Sequence, residues 1–312
     1  MDTTELRNAL ERGRTGADWA VSVARYFADS DLHYGHGTDN PRDEAYWLIR
    51  AQQGWSESAW TAPPDSGLIG GIVELARRRV EQRKPLAYLL GEAWFAGLRF
   101  GIDERVLVPR SPLAELIENR FGPWCRLKPG DRVLDVGTGS GCLAIAAAYH
   151  CAGLRVDATD ISENALAVAR RNVREHGLEA HVRLIRTDLF AGLQGPYRII
   201  MANPPYVPSK RIGKLPAEFA HEPGAALDGG SSGLDLVDRI LAGAAKRLTP
   251  DGLLVVEVGE AEEAFRARYP TLPATWLEFQ RGGEGVFLLT HDELAGYLHA
   301  CIACGAPNRM RS

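Results

Sequence analysis

The 312-residue sequence has few cysteines, no long apolar run and no excess of basic charge. Its five cysteines are an odd number in a long chain, which excludes the disulfide framework of a small secreted protein. The longest clearly apolar stretch, Cys142 to Tyr149, is far shorter than a membrane span. The first residues, Met1 to Glu5, are acidic, and no secretory signal is visible. We therefore expect a cytoplasmic protein.

The charge is evenly spread along the chain. The net charge is −4, and residues 1–110 hold 14 basic and 16 acidic residues, so neither part has the basic excess that drives duplex binding. Hydrophobic residues make up 45% of the sequence, which is enough to bury a substantial core. This length and composition predict a large domain and a smaller one.

Several small motifs are too incomplete to support a function. Cys301 and Cys304 form one C-x-x-C pair, which is half a zinc site at most. His33 and His36, followed by Asp39, lack a further ligand and are better explained as a structured loop. The sequence has no G-x-S-x-G, so a serine hydrolase has no support.

The first 85 residues show helical periodicity. An amphipathic stretch runs from Leu68 to Val80, and Pro85 is expected to end that helix because proline cannot continue the hydrogen-bond ladder. The basic run Arg77–Arg79 fits a solvated helix face. The alternative is a contact surface for an acidic or nucleic-acid-bearing partner. Residues 86–102 are expected to form a β-hairpin.

From Leu113 onward, strands and helices alternate, which predicts an α/β fold with a mostly parallel sheet and helices on both faces. The last two strands are joined by a connection too short for a crossover helix, so they should pair antiparallel at the sheet edge. Helices are expected at about 141–150, 162–176 and 233–248, with Ser162 and Ser232 as caps. The predicted strands are Arg132–Val136, Arg155–Thr159, Val182–Arg186, Tyr197–Ala202, Leu253–Val258, Thr275–Phe279 and Val286–Leu289.

The first strand of this region ends in a glycine-rich turn. Gly137, Gly139 and Gly141 allow a tight turn and bring backbone N–H groups close to a ligand at a helix start. A dinucleotide fingerprint requires glycine where Cys142 stands, and the Gly-Lys-Ser/Thr of a P-loop is absent. The turn therefore fits a ligand without a pyrophosphate.

Two acidic residues follow the next two strands. Asp160 stands 19 residues after Gly141, where a carboxylate can accept both hydroxyls of a ribose; otherwise it is a helix-start carboxylate favoured by the dipole. Asp188 precedes Phe190, and this pair suits a nucleobase with an exocyclic amine, unless Asp188 is a simple turn residue.

The fourth strand ends in Asn203-Pro204-Pro205-Tyr206. The two prolines make a rigid loop with outward carbonyls. Asn203 adds an amide oxygen, and Tyr206 adds a flat apolar face, so the loop can grip a planar –NH2 group. The alternative is an ordinary turn after a strand.

Together these motifs resemble a class I S-adenosylmethionine-dependent methyltransferase that modifies an amino group. The Asn203–Tyr206 loop is shared by adenine-amino DNA methyltransferases and N(5)-glutamine protein methyltransferases. The rest of the chain is similar to the second group. The stretches that carry this likeness are Arg105-Val-Leu-Val-Pro-Arg110, His221-Glu-Pro223, Ala226-Leu-Asp-Gly-Gly230 and Leu254-Val-Val-Glu-Val-Gly259.

Three further stretches resemble the branch that methylates the large-subunit ribosomal protein L-three. They are Tyr34-Gly-His-Gly-Thr-Asp-Asn-Pro41, Ala93-Trp-Phe95 and Pro109-Arg-Ser-Pro112. The resemblance implies a Rossmann-like, seven-stranded catalytic domain at 111–292. A helical substrate-recognition domain at 1–85 and a hairpin linker at 86–110 would precede it, and a tail at 293–312 would follow.

The resemblance also implies residue roles. S-adenosylmethionine would be bound by Asp135, Gly137, Thr138, Gly139, Gly141, Asp160, Ile161, Asp188, Leu189, Phe190 and Asn203. Asn203, Pro204 and Tyr206 would be catalytic, and Pro205 and Glu222 would help to bind substrate, with Glu222 bracing the Asn203 loop. No metal is implied.

The implied activity is transfer of a methyl group to the side-chain amide of a glutamine in ribosomal protein L-three, free or during ribosome assembly. One alternative is the same chemistry on peptide release factors. A DNA adenine methyltransferase is disfavoured because no basic target-reading domain is visible. The alternative from another class is a non-catalytic assembly factor that only binds S-adenosylmethionine.

Overall fold

The computed structural model describes residues 1–55 and 60–303, and these form two compact units. The first unit comprises Met1–Ala93, Ile102–Glu104 and Leu215–His221, and the second comprises Trp94–Gly101, Arg105–Lys214 and the residues from Glu222 onward. The segment Leu215–His221 lies in the second half of the sequence, yet it belongs to the first unit. No sequence pattern predicts that this segment belongs to the first unit.

The first unit is helical. Amphipathic helices begin at capping side chains such as Asp2 and Thr15, which accept the free N–H groups of the first turn. Their apolar faces meet in a core built around Trp19, Phe27 and Leu48. Its helices are α1 (Thr3–Arg12), α2 (Gly16–Ala28), α3 (Pro41–Gln53), α4 (Ile69–Glu81) and α5 (Leu86–Leu90).

Two expectations for this region were wrong. Helix α4 ends at Glu81, four residues before Pro85, and Arg83 then adopts a positive φ of 53°. Residues 86–90 form α5, so the hairpin is shorter than expected and consists of β1 (Glu92–Phe95) and β2 (Leu98–Gly101). The alternation of apolar residues begins only after Gly91.

The basic run on α4 is not a uniform solvated face. Arg77 pairs with Glu74 and Glu81 on its own helix, whereas the side chain of Arg79 is buried. Arg79 Nε donates to Glu44 Oε1 at 2.7 Å, and its Nη1 donates to Glu218 Oε1 at 3.1 Å. Both interpretations of the run as a surface were therefore wrong for Arg79, because a buried guanidinium must be paired.

The loop with His33 and His36 is structured, as expected. The His36 ring packs on Phe219, with centroids 4.6 Å apart, and the His33 N–H donates to Glu218. No group of three potential metal-binding side chains occurs among residues 1–55 and 60–303. Cys301 lies in the last helix, and Cys304 lies outside the described residues.

The second unit confirms the α/β prediction. Within the described chain its sheet has seven strands, in the order β5-β4-β3-β6-β7-β9-β8. The first five strands are parallel, and β9 runs antiparallel to both β7 and β8, as expected for the final pair. The strands are β3 (Arg132–Val136), β4 (Arg155–Asp160), β5 (Val182–Arg186), β6 (Tyr197–Ala202), β7 (Leu248–Glu257), β8 (Thr275–Trp276) and β9 (Val286–Thr290).

The helices of this unit follow the predicted alternation, with two differences. Ser162 caps its helix by accepting the Ala165 N–H, but the third predicted helix begins at Asp235 with Leu234, not Ser232, at the cap. Strand β8 is two residues long, which is shorter than the predicted Thr275–Phe279, and a last backbone bond runs from the Leu277 N–H to the Val286 carbonyl at 2.9 Å. The helices are α6 (Leu113–Glu118), α7 (Cys142–His150), α8 (Glu163–Glu175), α9 (Ser209–Ile212), α10 (Asp235–Ala244), α11 (Glu262–Arg268) and α12 (His291–Ala303).

The sheet order defines where a ligand can bind. From β3 the chain moves outward to β4 and β5 and then returns to β6 on the other side of β3. The carboxyl ends of β3 and β6 therefore flank a topological switch point, which is the usual ligand crevice of open α/β sheets. None of the helices in residues 1–55 and 60–303 is long and apolar enough to cross a membrane.

Candidate active site

The register of the sheet brings three of the predicted segments together. Val136 at the end of β3 pairs with Thr159 on β4 and with Ala202 on β6. Asp160 and Asn203 each follow directly after these partners, so they flank Gly137 from opposite sides. The glycine turn, the acid at the end of β4 and the loop after β6 therefore meet at the switch point, as the sequence predicts.

The glycine turn requires its glycines for two different reasons. Gly137, Gly139 and Gly141 have φ values of 76°, 55° and 84°, which side chains rarely adopt. A Cβ on Gly137 or Gly139 would meet no atom within 4 Å, so open space lies beside both residues. A Cβ on Gly141 would lie 3.3 Å from the Cβ of Ala169, so this glycine lets the turn pack closely against α8.

Asp135 is fully buried beneath this turn. The Thr138 hydroxyl donates to its Oδ2 at 2.5 Å. Burial raises the pKa of Asp135 to about 7, and the hydrogen bond from Thr138 offsets only part of that effect. A buried carboxylate in this state gains stability from a cationic group beside it.

Asp160 is oriented by backbone N–H groups. Its Oδ2 accepts from Gly139 at 2.9 Å and its Oδ1 accepts from Ser162 at 2.8 Å. Burial raises its pKa, and these two bonds oppose the rise. The next side chain, Ile161, is 64% exposed, which is unusual for a large apolar residue and leaves a surface for a flat ring.

The segment after β5 differs from the expectation. Asp188 forms an ion pair with Arg239, with 2.7 Å between Nη2 and Oδ2. The Phe190 ring is buried in the core, where it lies against Gly243 and under the Arg247 guanidinium. The expected packing of Phe190 near a nucleobase stays a prediction, since most of its ring surface is already in contact with the core. Leu189, with a positive φ of 49°, is half-buried.

The Asn203–Tyr206 loop is held from behind by glycines of a later segment. A Cβ on Gly229 would lie 2.7 Å from the Pro205 carbonyl oxygen, and one on Gly233 would lie 2.3 Å from the Tyr206 carbonyl oxygen. Val207 also bonds across to this segment, because the Gly229 N–H donates to its carbonyl at 2.9 Å. The glycines therefore let the backbone close tightly behind the loop and keep it in place.

Asn203 and Tyr206 share a buried carboxylate. Glu257, the last residue of β7, is 4% exposed and accepts from Ser111 Oγ at 2.5 Å. The Tyr206 hydroxyl lies 3.5 Å from Glu257 Oε1, and the Asn203 side chain is close enough to this carboxylate to act against the rise of its pKa. Burial raises the pKa of Glu257 to about 7, and burial together with this nearby carboxylate raises the pKa of Tyr206.

Glu222 has partners other than the loop it was expected to brace. Its carboxylate accepts hydrogen bonds from Arg110 Nη1 at 2.6 Å, from Arg110 Nη2 at 2.8 Å and from the Val108 N–H at 3.1 Å. Its side chain is fully buried, so it fixes the Val108–Arg110 backbone and is not displayed to a substrate. This bidentate pair explains why Arg110 and Glu222 both occur in the motifs that carry the resemblance.

Sequence reasoning missed Glu257, Ser111 and Arg110 as parts of the site. A usable signal existed for Glu257, since it is an acidic residue at the end of the apolar run Leu253–Val256. Ser111 lies 146 residues away from Glu257 in the sequence, so no local pattern could link them.

Comparisons with known proteins agree with this geometry. A family model described as the methyltransferase small domain matches residues 125–231. The hMettl16 catalytic domain, solved with MAT2A 3′UTR hairpin 6, superposes with a TM-score of 0.50 at 18% identity, and the match covers 70% of this chain and 80% of that one. That likeness confirms the methyltransferase fold.

Two curated relatives match most of this chain. The ribosomal protein uL3 glutamine methyltransferase of Francisella tularensis subsp. tularensis is 40% identical over 307 residues, which is 95% of each chain. The protein of the same name from Neisseria gonorrhoeae is 43% identical over 275 residues, covering 86% of this chain and 92% of the relative. The chain belongs to the family of ribosomal protein uL3 glutamine methyltransferases.

Proposed function

We propose that this protein transfers a methyl group from S-adenosylmethionine to the side-chain amide nitrogen of a glutamine in ribosomal protein uL3, either free or during ribosome assembly. One observation carries the proposal. The Asn203–Tyr206 loop follows β6 directly beside the glycine turn after β3, so a group that grips an –NH2 lies next to a nucleoside-type site. The names of the relatives supply the protein substrate.

The residues after β3 and β4 fit S-adenosylmethionine. Open space beside Gly137 and Gly139 leaves room for a ligand against the turn. The buried Asp135 carboxylate suits the cationic amino-acid end, and Asp160 has two fixed oxygens for the ribose hydroxyls. Ile161 and Leu189 offer apolar surface for the adenine, and Asp188, held by Arg239, is placed to accept from its exocyclic amine.

The reaction requires orientation more than acid–base chemistry. When bound, S-adenosylmethionine supplies an electrophilic methyl group on a sulfonium centre. An amide nitrogen is a weak nucleophile because its lone pair is delocalised into the carbonyl. Asn203 Oδ1 and the Pro204 carbonyl each accept one N–H of the substrate amide, which aims the nitrogen and stabilises the positive charge that grows on it. As the N–CH3 bond forms, the methyl–sulfur bond would break to leave a neutral thioether, and the methylated nitrogen would release one proton to water.

Tyr206 holds the plane of the amide. Its ring lies against Gly259, where a Cβ would come within 2.6 Å of the ring, so the ring rests directly on the backbone after β7. Pro205 keeps the loop rigid because its ring fixes φ. We further propose that the helical unit recognises uL3, so that substitutions on its exposed residues raise KM for uL3 and leave cofactor affinity unchanged.

The test is transfer of labelled methyl from S-adenosylmethionine to purified uL3, with a peptide release factor and adenine-containing DNA in parallel. The proposal predicts label in uL3 on a glutamine amide. Label in the release factor alone would keep the chemistry and refute the substrate. Label in DNA would refute a protein substrate, and binding of S-adenosylmethionine without any transfer would favour a non-catalytic assembly factor.

A further inference from the structure

The buried carboxylate of Glu257 lies 3.5 Å from the Tyr206 hydroxyl and is close enough to the Asn203 side chain for that amide to lower its pKa. It lies at the end of a central strand, where its neighbour in the sheet is Val286 of β9. A buried carboxylate is costly to fold, so its presence between two residues that grip the substrate requires an explanation.

The contact with Asn203 determines which way that amide faces. An ionised carboxylate can only accept hydrogen bonds, and Asn203 lowers the pKa of Glu257, so we infer that the Nδ2 group of Asn203 is on the side of the carboxylate. The Oδ1 atom then faces the opposite way and is left to accept. The two flips of an asparagine amide have nearly the same shape, so packing alone does not choose between them.

We propose that Glu257 is a positioning residue for methyl transfer: it fixes the amide of Asn203 with Oδ1 toward the substrate nitrogen and anchors the Tyr206 hydroxyl. Ser111 Oγ occupies the other carboxylate oxygen at 2.5 Å and so prevents the carboxylate from rotating. The inference rests on the proposed function, because the group to be gripped is the –NH2 of a glutamine.

The charge state of Glu257 controls this arrangement. The groups that face it are Arg110 and Ser111 ahead of α6, Asn203 and Tyr206 after β6, and Glu260 lies close to Tyr206. Burial raises the pKa of Glu257 to about 7. Once protonated, Glu257 has an O–H that can donate to Asn203 Oδ1, which removes the acceptor from the substrate. The methyl-transfer rate should therefore rise with pH through about 7 and then level off.

The experiment measures single-turnover methyl transfer to uL3 at saturating S-adenosylmethionine, from pH 6 to pH 9. Saturating cofactor at each pH separates this effect from titration of Asp135 in the cofactor site. Glu257→Gln keeps one accepting oxygen, but its amide can also donate and therefore no longer enforces the direction of the Asn203 amide. We expect a rate about tenfold lower and no rise with pH. Glu257→Leu removes every acceptor and should lower the rate about 10²-fold.

Two controls make the result specific. Glu262→Gln applies the same chemical change to a glutamate that pairs with Arg266 on α11, and it should keep the wild-type rate and pH profile. Glu257→Asp keeps the charge and should restore the pH rise, with a rate between those of wild type and Glu257→Leu. Cofactor affinity should stay unchanged in every variant.

Wild-type rates in Glu257→Gln and Glu257→Leu would overturn the proposal, as would a wild-type pH rise in Glu257→Gln. A loss that appears only in cofactor affinity or only in KM for uL3 would also overturn it. If Glu257→Leu fails to fold, Glu257→Gln and the wild-type pH profile still decide the question. Failure of the proposed function is distinct, because the wild-type protein itself would then leave uL3 unlabelled.

Discussion

Two buried glutamates, one in each unit, have pKa values that their partners leave shifted in opposite directions. Although burial raises it, hydrogen bonds from Arg83, from the His33 N–H and from Arg79 bring the pKa of Glu218 down to about 2. Glu257 has neutral hydrogen-bond donors and is stabilised only in part by the charge of Arg110, and burial raises its pKa to about 7. The charge of Glu218 is thus compensated by its neighbours, and this residue has a structural role. The burial of the Glu257 carboxylate remains destabilising, so its presence is best explained by a role in function.

The largest effect should come from removing Arg79, the positive group that pairs with two buried glutamates in the helical unit. Arg79→Met keeps an unbranched apolar stem but leaves Glu44 and Glu218 without their shared guanidinium. Breaking a buried ion pair in this way should lower the free energy of unfolding by about 3–5 kcal/mol. Urea unfolding at pH 7 measures it, with Arg77→Met on the exposed face as the matched control. Equal, small losses in both variants would contradict the comparison.

The second largest effect concerns Asn203, the residue that we propose Glu257 positions. Asn203→Ala removes the amide oxygen that accepts from the substrate nitrogen and should lower the single-turnover rate by about 10²–10³-fold. Stability should change little, because Asn203 is only half-buried. Rapid-quench measurement with uL3 tests it. A near-normal rate at saturating substrate would remove Asn203 from the mechanism.

Glu257→Gln should make the protein more stable and slower at once. A carboxyl group whose folded pKa is above its unfolded value of 4.5 contributes stability below pH 4.5 and loses it as the pH rises through about 7. Replacing it should therefore raise the free energy of unfolding at pH 8 by at most about 3 kcal/mol.

Denaturant unfolding of wild type and Glu257→Gln between pH 4.5 and pH 8 measures this gain. Glu218 has the opposite sign, since its contribution is complete above pH 4.5 and is lost as the pH falls toward 2. A Glu257→Gln protein that is less stable than wild type at pH 8 would show that Glu257 is structural after all.

The smallest effect concerns the contact between the Asn203–Tyr206 loop and Gly229. Gly229→Ala places a methyl group 2.7 Å from the Pro205 carbonyl oxygen, so the backbone must move. Overpacking of this kind costs about 1–3 kcal/mol, and here part of the shift falls on Pro204 and Asn203. We expect a lower rate with unchanged cofactor affinity. Gly224→Ala, where a Cβ meets no atom within 4 Å, is the control. Equal rates in the two variants would mean that the position of the loop does not depend on its close backbone contact with Gly229.

The sequence predicted the parts of the site that follow from strand order. Parallel strands end at one edge, so Asp160 and Asn203 could be placed there from the alternation alone. The contacts of Arg79 and Ser111 could not be predicted, since their carboxylate partners lie 139 and 146 residues away. The burial of Phe190 in the core could not be predicted either, because a local pattern cannot tell whether an aromatic ring faces the ligand or the core.

The most direct test of the central claim is fragmentation mass spectrometry of uL3 after incubation with the protein and S-adenosylmethionine. The account predicts one added methyl group on the side-chain amide of a glutamine, and its absence when Asn203→Ala is assayed for the same short time. A methyl group on a lysine, an arginine or a chain terminus, or unmodified uL3 beside a cofactor-saturated enzyme, would contradict it.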